Sequence, residues 1–182
     1  MNANKIEIIE PRTVWIGGET APISLVMYGD YESEACAKAQ GVIDAILSSF
    51  EGKVKFQYRH FPLTRIHQHS HKAAEAAVAA VQEGKFWEMH HLLFENRRRL
   101  GSISLKSYAT EAGMKDKNFI PKLVDSVYGW TVRADLLEGV EKGVRDVPAL
   151  FINDQLFAGS ITKPALSKAI EEQMPVTRKK RA

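Results

Sequence analysis

The chain has 182 residues, 45% of them hydrophobic and 26% charged, proportions that suit one soluble domain with a substantial core. A net charge of +3 is too small to argue for nucleic acid, no stretch approaches the roughly 18 apolar residues of a membrane span, and a single cysteine excludes an intramolecular disulfide. The first ten residues hold no apolar run of the secretory-leader type, so a cytoplasmic location is expected.

Residues 1–20 read as an extended lead-in that closes at Gly17-Gly18. Residues 23–28 form a nearly continuous apolar run, the pattern of a central strand buried on both faces. A helix over about 35–49 follows, with Val42, Ile43, Ile46, Leu47 and Phe50 on one face, and Glu51-Gly52 ends it. Residues 53–58 alternate strictly, which predicts a second strand. Strand, helix, strand implies a right-handed crossover and parallel pairing. Residues 64–143 then read as helical, with segments at 72–83, 86–94, 105–112, 116–127 and 130–142 and a cap at Ser70. Residues 149–152 and 155–158 read as a hairpin about Asn153-Asp154, and 163–173 as a closing helix with Pro164 in its first turn. Residues 176–182 read as a basic tail.

The chemistry-bearing feature is Ser33-Glu34-Ala35-Cys36, which follows the first strand and opens the first helix. Strand, turn and a C-x-x-C pair at a helix start is a redox arrangement, because the first sulfur lies against unpaired N–H groups that favour thiolate. Here that position is Ser33, whose hydroxyl stays protonated unless a base adjoins it. Ser33 reads equally as a helix N-cap, a role contributing about 1 kcal/mol, and Cys36 reads either as a small buried hydrophobe or as a thiol. Glu34 fits the helix dipole and is expected to raise the Cys36 pKa by its charge. His67, His69 and His71 alternate in a loop; their spacing fixes no tetrahedral metal site, so no metal is assigned. His60, at the strand exit, is a lesser candidate for the site, and Phe86, Met89, His90, Leu93 and Phe94 read as a core stripe. Arg97-Arg98-Arg99 reads as a solvated helix end.

Four segments in order resemble the DsbA-like thioredoxin-fold family: 21–36 with Gly29-Asp30-Tyr31-Glu32-Ser33-Glu34-Ala35-Cys36, then Tyr58-Arg59-His60-Phe61-Pro62-Leu63, Gly84-Lys85-Phe86-Trp87-Glu88-Met89-His90, and 143–153 with Val147-Pro148. The resemblance implies an α/β thioredoxin-like fold. Its thioredoxin-like domain would span 21–63 and 144–175, with a helical insertion at 64–143. It also implies a cis Val147-Pro148 bond against the motif, with Ser33 and Cys36 in the catalytic positions and Glu34, Ala35, Val147 and Pro148 contacting substrate. The expected partners are protein thiols or disulfides, or glutathione as a substrate; no other cofactor, no nucleic acid and no membrane is expected. The resemblance departs at the chemistry, since active members carry two cysteines. Three functions stay open: an oxidoreductase-like protein with an altered S-x-x-C site lacking standard dithiol exchange, a glutathione-dependent transferase or isomerase using Ser33, and a non-catalytic peptide-binding module.

Overall fold

The structure, a computed structural model, describes residues 10–175. One mixed sheet holds five strands in the order β1-β3-β2-β4-β5. These are β1 (Ile16–Gly17), β2 (Ile23–Gly29), β3 (Val54–His60), β4 (Ala149–Ile152) and β5 (Gln155–Leu156). The helices are α1 (Glu34–Ser49), α2 (Ser70–Val81), α3 (Phe86–Glu95), α4 (Ser102–Glu111), α5 (Phe119–Val124), α6 (Gly129–Glu141) and α7 (Lys163–Gln173). This is the α/β thioredoxin-like arrangement, with five helices inserted between β3 and β4.

The apolar run forms β2, the sheet centre, with Ile23, Leu25, Met27 and Tyr28 fully buried. It pairs parallel with β3, Gly29 opposite His60, and antiparallel with β4, Tyr28 opposite Ala149. This register brings the exits of β2 and β3 and the entry of β4 to one end of the sheet. The 30–33 turn, the 61–63 exit and the 147–148 loop therefore converge there. Helix α2 is buried nearly all round, from Ala73 to Val81, which its alanines permit by letting neighbours approach closely.

Several boundaries differ from the sequence expectation. Strand β3 runs on to His60, and Gln57 and Arg59 on its polar side are buried. That side is covered: Gln57 Nε2 donates to the Arg12 carbonyl, and Arg59 meets Asp135 of α6 at 3.1 Å. The described part of the lead-in, from residue 10, has a 3₁₀ turn at Pro11–Thr13 and β1 pairing with β3. At Gly17, φ is +104° and a Cβ would clash with the Val54 carbonyl oxygen, so only glycine fits. Helix α5 stops at Val124, since Ser126 takes φ +52°. Ser70 is the first helical residue rather than the cap, and its hydroxyl donates to the His67 carbonyl. Asn153 and Asp154 at φ +47° and +65° make the hairpin turn, but β5 ends at Leu156. The basic tail at 176–182 and residues 1–9 of the lead-in lie outside the described residues.

Candidate functional site

The site is built on Asp30, the residue that follows β2. Its carboxylate is buried and spends both oxygens on the local backbone: Oδ1 accepts from the Glu32 N–H at 2.8 Å and Oδ2 from the Leu63 N–H at 2.7 Å. His67 Nδ1 lies 3.0 Å from the same Oδ2. One side chain thus ties the turn before α1 to the exit of β3. The Asp30 N–H in turn donates to Cys36 Sγ at 3.4 Å.

Ser33 is the N-cap of α1: its φ and ψ are −72° and 123°, and its hydroxyl oxygen accepts from the Cys36 N–H at 3.2 Å. Ser33 is half-buried, while Glu34 and Ala35 are exposed at the mouth. Cys36 has no solvent exposure. Burial pushes its thiol up to about 11; hydrogen bonds from Ser33 and the Asp30 N–H oppose the rise, and the charges of Asp30 and Asp146 add to it. The expected role of Glu34 is corrected here. Its carboxylate turns away to Lys38 at 2.9 Å and Arg97 at 3.2 Å, and these cations, Lys38 first, hold it below the usual carboxylate range.

The Val147–Pro148 peptide is cis. Val147 is buried in the same apolar cluster as Cys36, and the field of Asp146 reaches the thiol. The Val147 N–H donates to Asp146 Oδ1 at 2.8 Å. The motif and the 146–148 loop thus lie at one end of the sheet, with Glu34 and Ala35 exposed there.

The other candidates separate. His67, His69 and His71 each face a different carboxylate, Asp30, Glu32 and Glu75, and no metal-holding group of three or more forms among the described residues. His60 is buried in the aromatic core beside Tyr31, Tyr58 and Phe86. Burial, with Arg59 and His71, lowers it to about 3, so it is neutral at physiological pH. Arg97 does not serve the end of α3; it bridges to α1. An apolar depression of about 430 Å³ lies beneath Trp130, Arg133, Leu136 and His71 and contains no motif residue.

The sequence reading missed a buried polar chain behind the motif. The Tyr31 hydroxyl lies 2.9 Å from His90 Nδ1, His90 Nε2 lies 2.9 Å from Gln40 Oε1, and Gln40 Nε2 donates to Asp44 Oδ1 at 2.8 Å. Burial raises the Tyr31 hydroxyl and lowers the His90 imidazole. Tyr31 is therefore the donor, and His90 carries its proton on Nε2, an assignment made from the network. Every bond then runs one way, from the turn before the motif to the surface of α1. Asp146 and Arg97 were also missed as members of the site. Asp30 had a visible signal, an acid placed directly between a strand and the motif.

A family model described as Thioredoxin matches residues 10–172. Among curated proteins, the chain is 33% identical over 162 residues to the Na(+)/H(+) antiporter NhaA 1 of Salinispora arenicola, covering 89% of this chain and 25% of that protein. It is likewise 33% identical to NhaA 1 of Mycolicibacterium vanbaalenii, over 90% of this chain and 27% of that one. The chain thus spans about a quarter of the length of these relatives. Among the described residues no helix is long and apolar enough to cross a membrane. Among solved structures, oxidised BdbD from Bacillus subtilis superposes with a TM-score of 0.79 at 22% identity, covering 87% of this chain and 91% of that one. The thiol-disulfide exchange protein alpha-DsbA2 from Wolbachia pipientis gives 0.75 at 23% identity, over 88% and 86% of the two chains. A thioredoxin-like oxidoreductase from Silicibacter pomeroyi gives 0.77 at 21%, over 90% and 92%. These superpositions show a shared overall fold.

Proposed function

The chain belongs to the thioredoxin family, and from that premise we propose that it is a DsbA-like protein whose S-x-x-C site holds a partner polypeptide without performing dithiol exchange on its own. The observation that carries this reading is the state of Cys36. Exchange needs an exposed thiolate to attack and a second thiol to resolve the mixed disulfide. The single cysteine has zero exposure and a thiol pushed up to about 11, and the outer position is a serine occupied in capping.

The same geometry supports binding. Ser33, Glu34 and Ala35 present the start of α1, and the Val147–Pro148 loop leads into β4 at the same end of the sheet. The Val147 N–H is the donor that an extended segment would engage there, as strand-like recognition requires. The Asp146 carboxylate accepts from this N–H in the structure. Glutathione is the second ligand proposed. Ser33 is half-buried at a helix start, a place for a hydroxyl to meet a thiolate.

The experiment is titration of isotope-labelled protein with a cysteine-free extended peptide and, separately, with glutathione, following amide shifts by NMR. Shifts centred on Ser33 and Val147 with the peptide support the holding role. Shifts with glutathione alone move the reading to the glutathione-dependent class. No shift at either residue with either ligand refutes the binding reading.

A further inference from the structure

The segment after α3 is a built feature. The Arg97 N–H donates to the Phe94 carbonyl at 3.3 Å and the Arg99 N–H to the Asn96 carbonyl at 2.7 Å. Asn96 Nδ2 donates to the Leu92 carbonyl, and the Tyr108 hydroxyl to the Arg99 carbonyl at 2.9 Å. Tyr108 and the next residue, Leu100, are buried, so both ends of the turn are anchored. Locked in this way, Glu95 to Arg99 line a surface depression of about 270 Å³.

This turn stands beside the motif. Arg97 is half-buried and reaches Glu34, the residue after Ser33. The charge of Arg98 also acts on Glu34. Arg98 and Arg99 are exposed, and among the described residues neither guanidinium forms an ion pair. Lys38, one turn into α1, adds a fourth cation. Glu34 is paired with Lys38 and Arg97, and Glu95 lines the same depression, which leaves four cations facing two carboxylates in this segment. A solvated helix end needs neither a locked backbone nor an ion pair to a different helix.

We propose that Arg97, Arg98, Arg99 and Lys38 form a recognition rim that selects extended polypeptides carrying acidic residues beside the segment held at the Ser33 and Val147 site. The proposal rests on the peptide-holding reading and names its substrate class. Guanidinium forks suit carboxylates, which they meet through paired N–H donors. Arg97 already meets Glu34 through one such donor, Nη2 to Oε2 at 3.2 Å, and an acidic side chain would compete for it and engage the two neighbouring arginines. Complementary charge of this kind mainly sets partner choice and encounter rate. Asp146 and Asp30 carry negative charge nearer the thiol, so acidic residues belong at the arginine side and not over the motif.

The test compares two fluorescent peptides of equal length, one neutral and one with a flanking acidic run. They are titrated against the full chain and against R98E/R99E, both substitutions lying on exposed side chains. The parent should bind the acidic peptide about tenfold more tightly than the neutral one at low ionic strength, and R98E/R99E should erase that preference while leaving neutral-peptide affinity unchanged. Raising ionic strength from roughly 0.05 M to roughly 0.3 M should shrink the preference in the parent only. Equal affinity for both peptides in the parent overturns the proposal and leaves the holding reading standing. Failure of both peptides to bind overturns both. A single-stranded oligonucleotide of matched charge that competes as well as the acidic peptide also overturns it, since the rim would then attract polyanions without selecting polypeptide.

Discussion

Cys36 should be almost inert in the folded chain. Two features of the structure set the size of the effect. The thiol rises from an ordinary 9.0 to about 11, which at neutral pH leaves about 100-fold less thiolate. The side chain also has no solvent exposure, so even that fraction meets a reagent only when the turn around Asp30 opens. Ellman's reagent should therefore label the native chain at least 100-fold more slowly than the denatured chain at the same pH. The native rate should climb tenfold for each pH step up to about 10, because the titration midpoint lies beyond that. The sign for stability follows from the same rise. The unfolded chain loses the proton first, so protection is complete below about pH 9 and is lost as pH rises toward 11, at a cost of about 3 kcal/mol. Cys36→Ala should flatten that part of the stability profile. A native labelling rate within tenfold of the denatured rate would refute the reasoning, since neither burial nor a raised pKa would then hold.

Asp135→Ala leaves Arg59 buried without its partner; a loss of about 3–5 kcal/mol is expected, which at this chain length lowers the melting temperature by roughly 6–20 °C, and a fall under 3 °C would show that the pair is solvated. His90→Leu keeps the volume but leaves the Tyr31 hydroxyl and Gln40 Oε1 unpaired. It should cost about 2–5 kcal/mol and broaden the amide signals of the 30–33 turn, and unchanged denaturant midpoints would exclude the role given to the polar chain. Asp146→Ala frees the Val147 N–H and should tighten binding of a neutral extended peptide by about tenfold through removal of a competing bond. Asp146→Asn retains an acceptor and should bind like the parent; identical effects of the two substitutions would mean that charge alone matters.

What the sequence revealed and what it hid divide along range. The apolar run at 23–28, the alternation at 53–58 and the alanine-rich stretch at 72–83 are local patterns. They gave the sheet centre, the crossover and the buried helix. The S-x-x-C spacing behind a strand was also local, and it placed Ser33 and Cys36. What failed was set by partners distant in the chain. The alternation at 53–58 said nothing of what covers Gln57 and Arg59, which meet Arg12 and Asp135, separated by 45 and 76 positions. Glu34 looked like a charge acting on Cys36 until Arg97, 63 positions away, drew its carboxylate aside. His90 was legible as core from its 3.6-residue spacing, but its hydrogen bond to Tyr31 spans 59 positions. No short-range pattern encodes such contacts.

The most direct test of the central claim is insulin reduction by dithiothreitol, followed as turbidity, with the parent and Ser33→Cys run side by side. Positions three apart at a helix start lie within the Cα range of about 4.4–6.8 Å that a disulfide needs, and residue 33 is the half-exposed member. Ser33→Cys should form an intramolecular disulfide under mild oxidant, lose both free thiols and accelerate the reaction, while the parent gives the uncatalysed rate. Acceleration by the parent would contradict the account, because a buried lone thiol with a serine before it would then be carrying out the exchange.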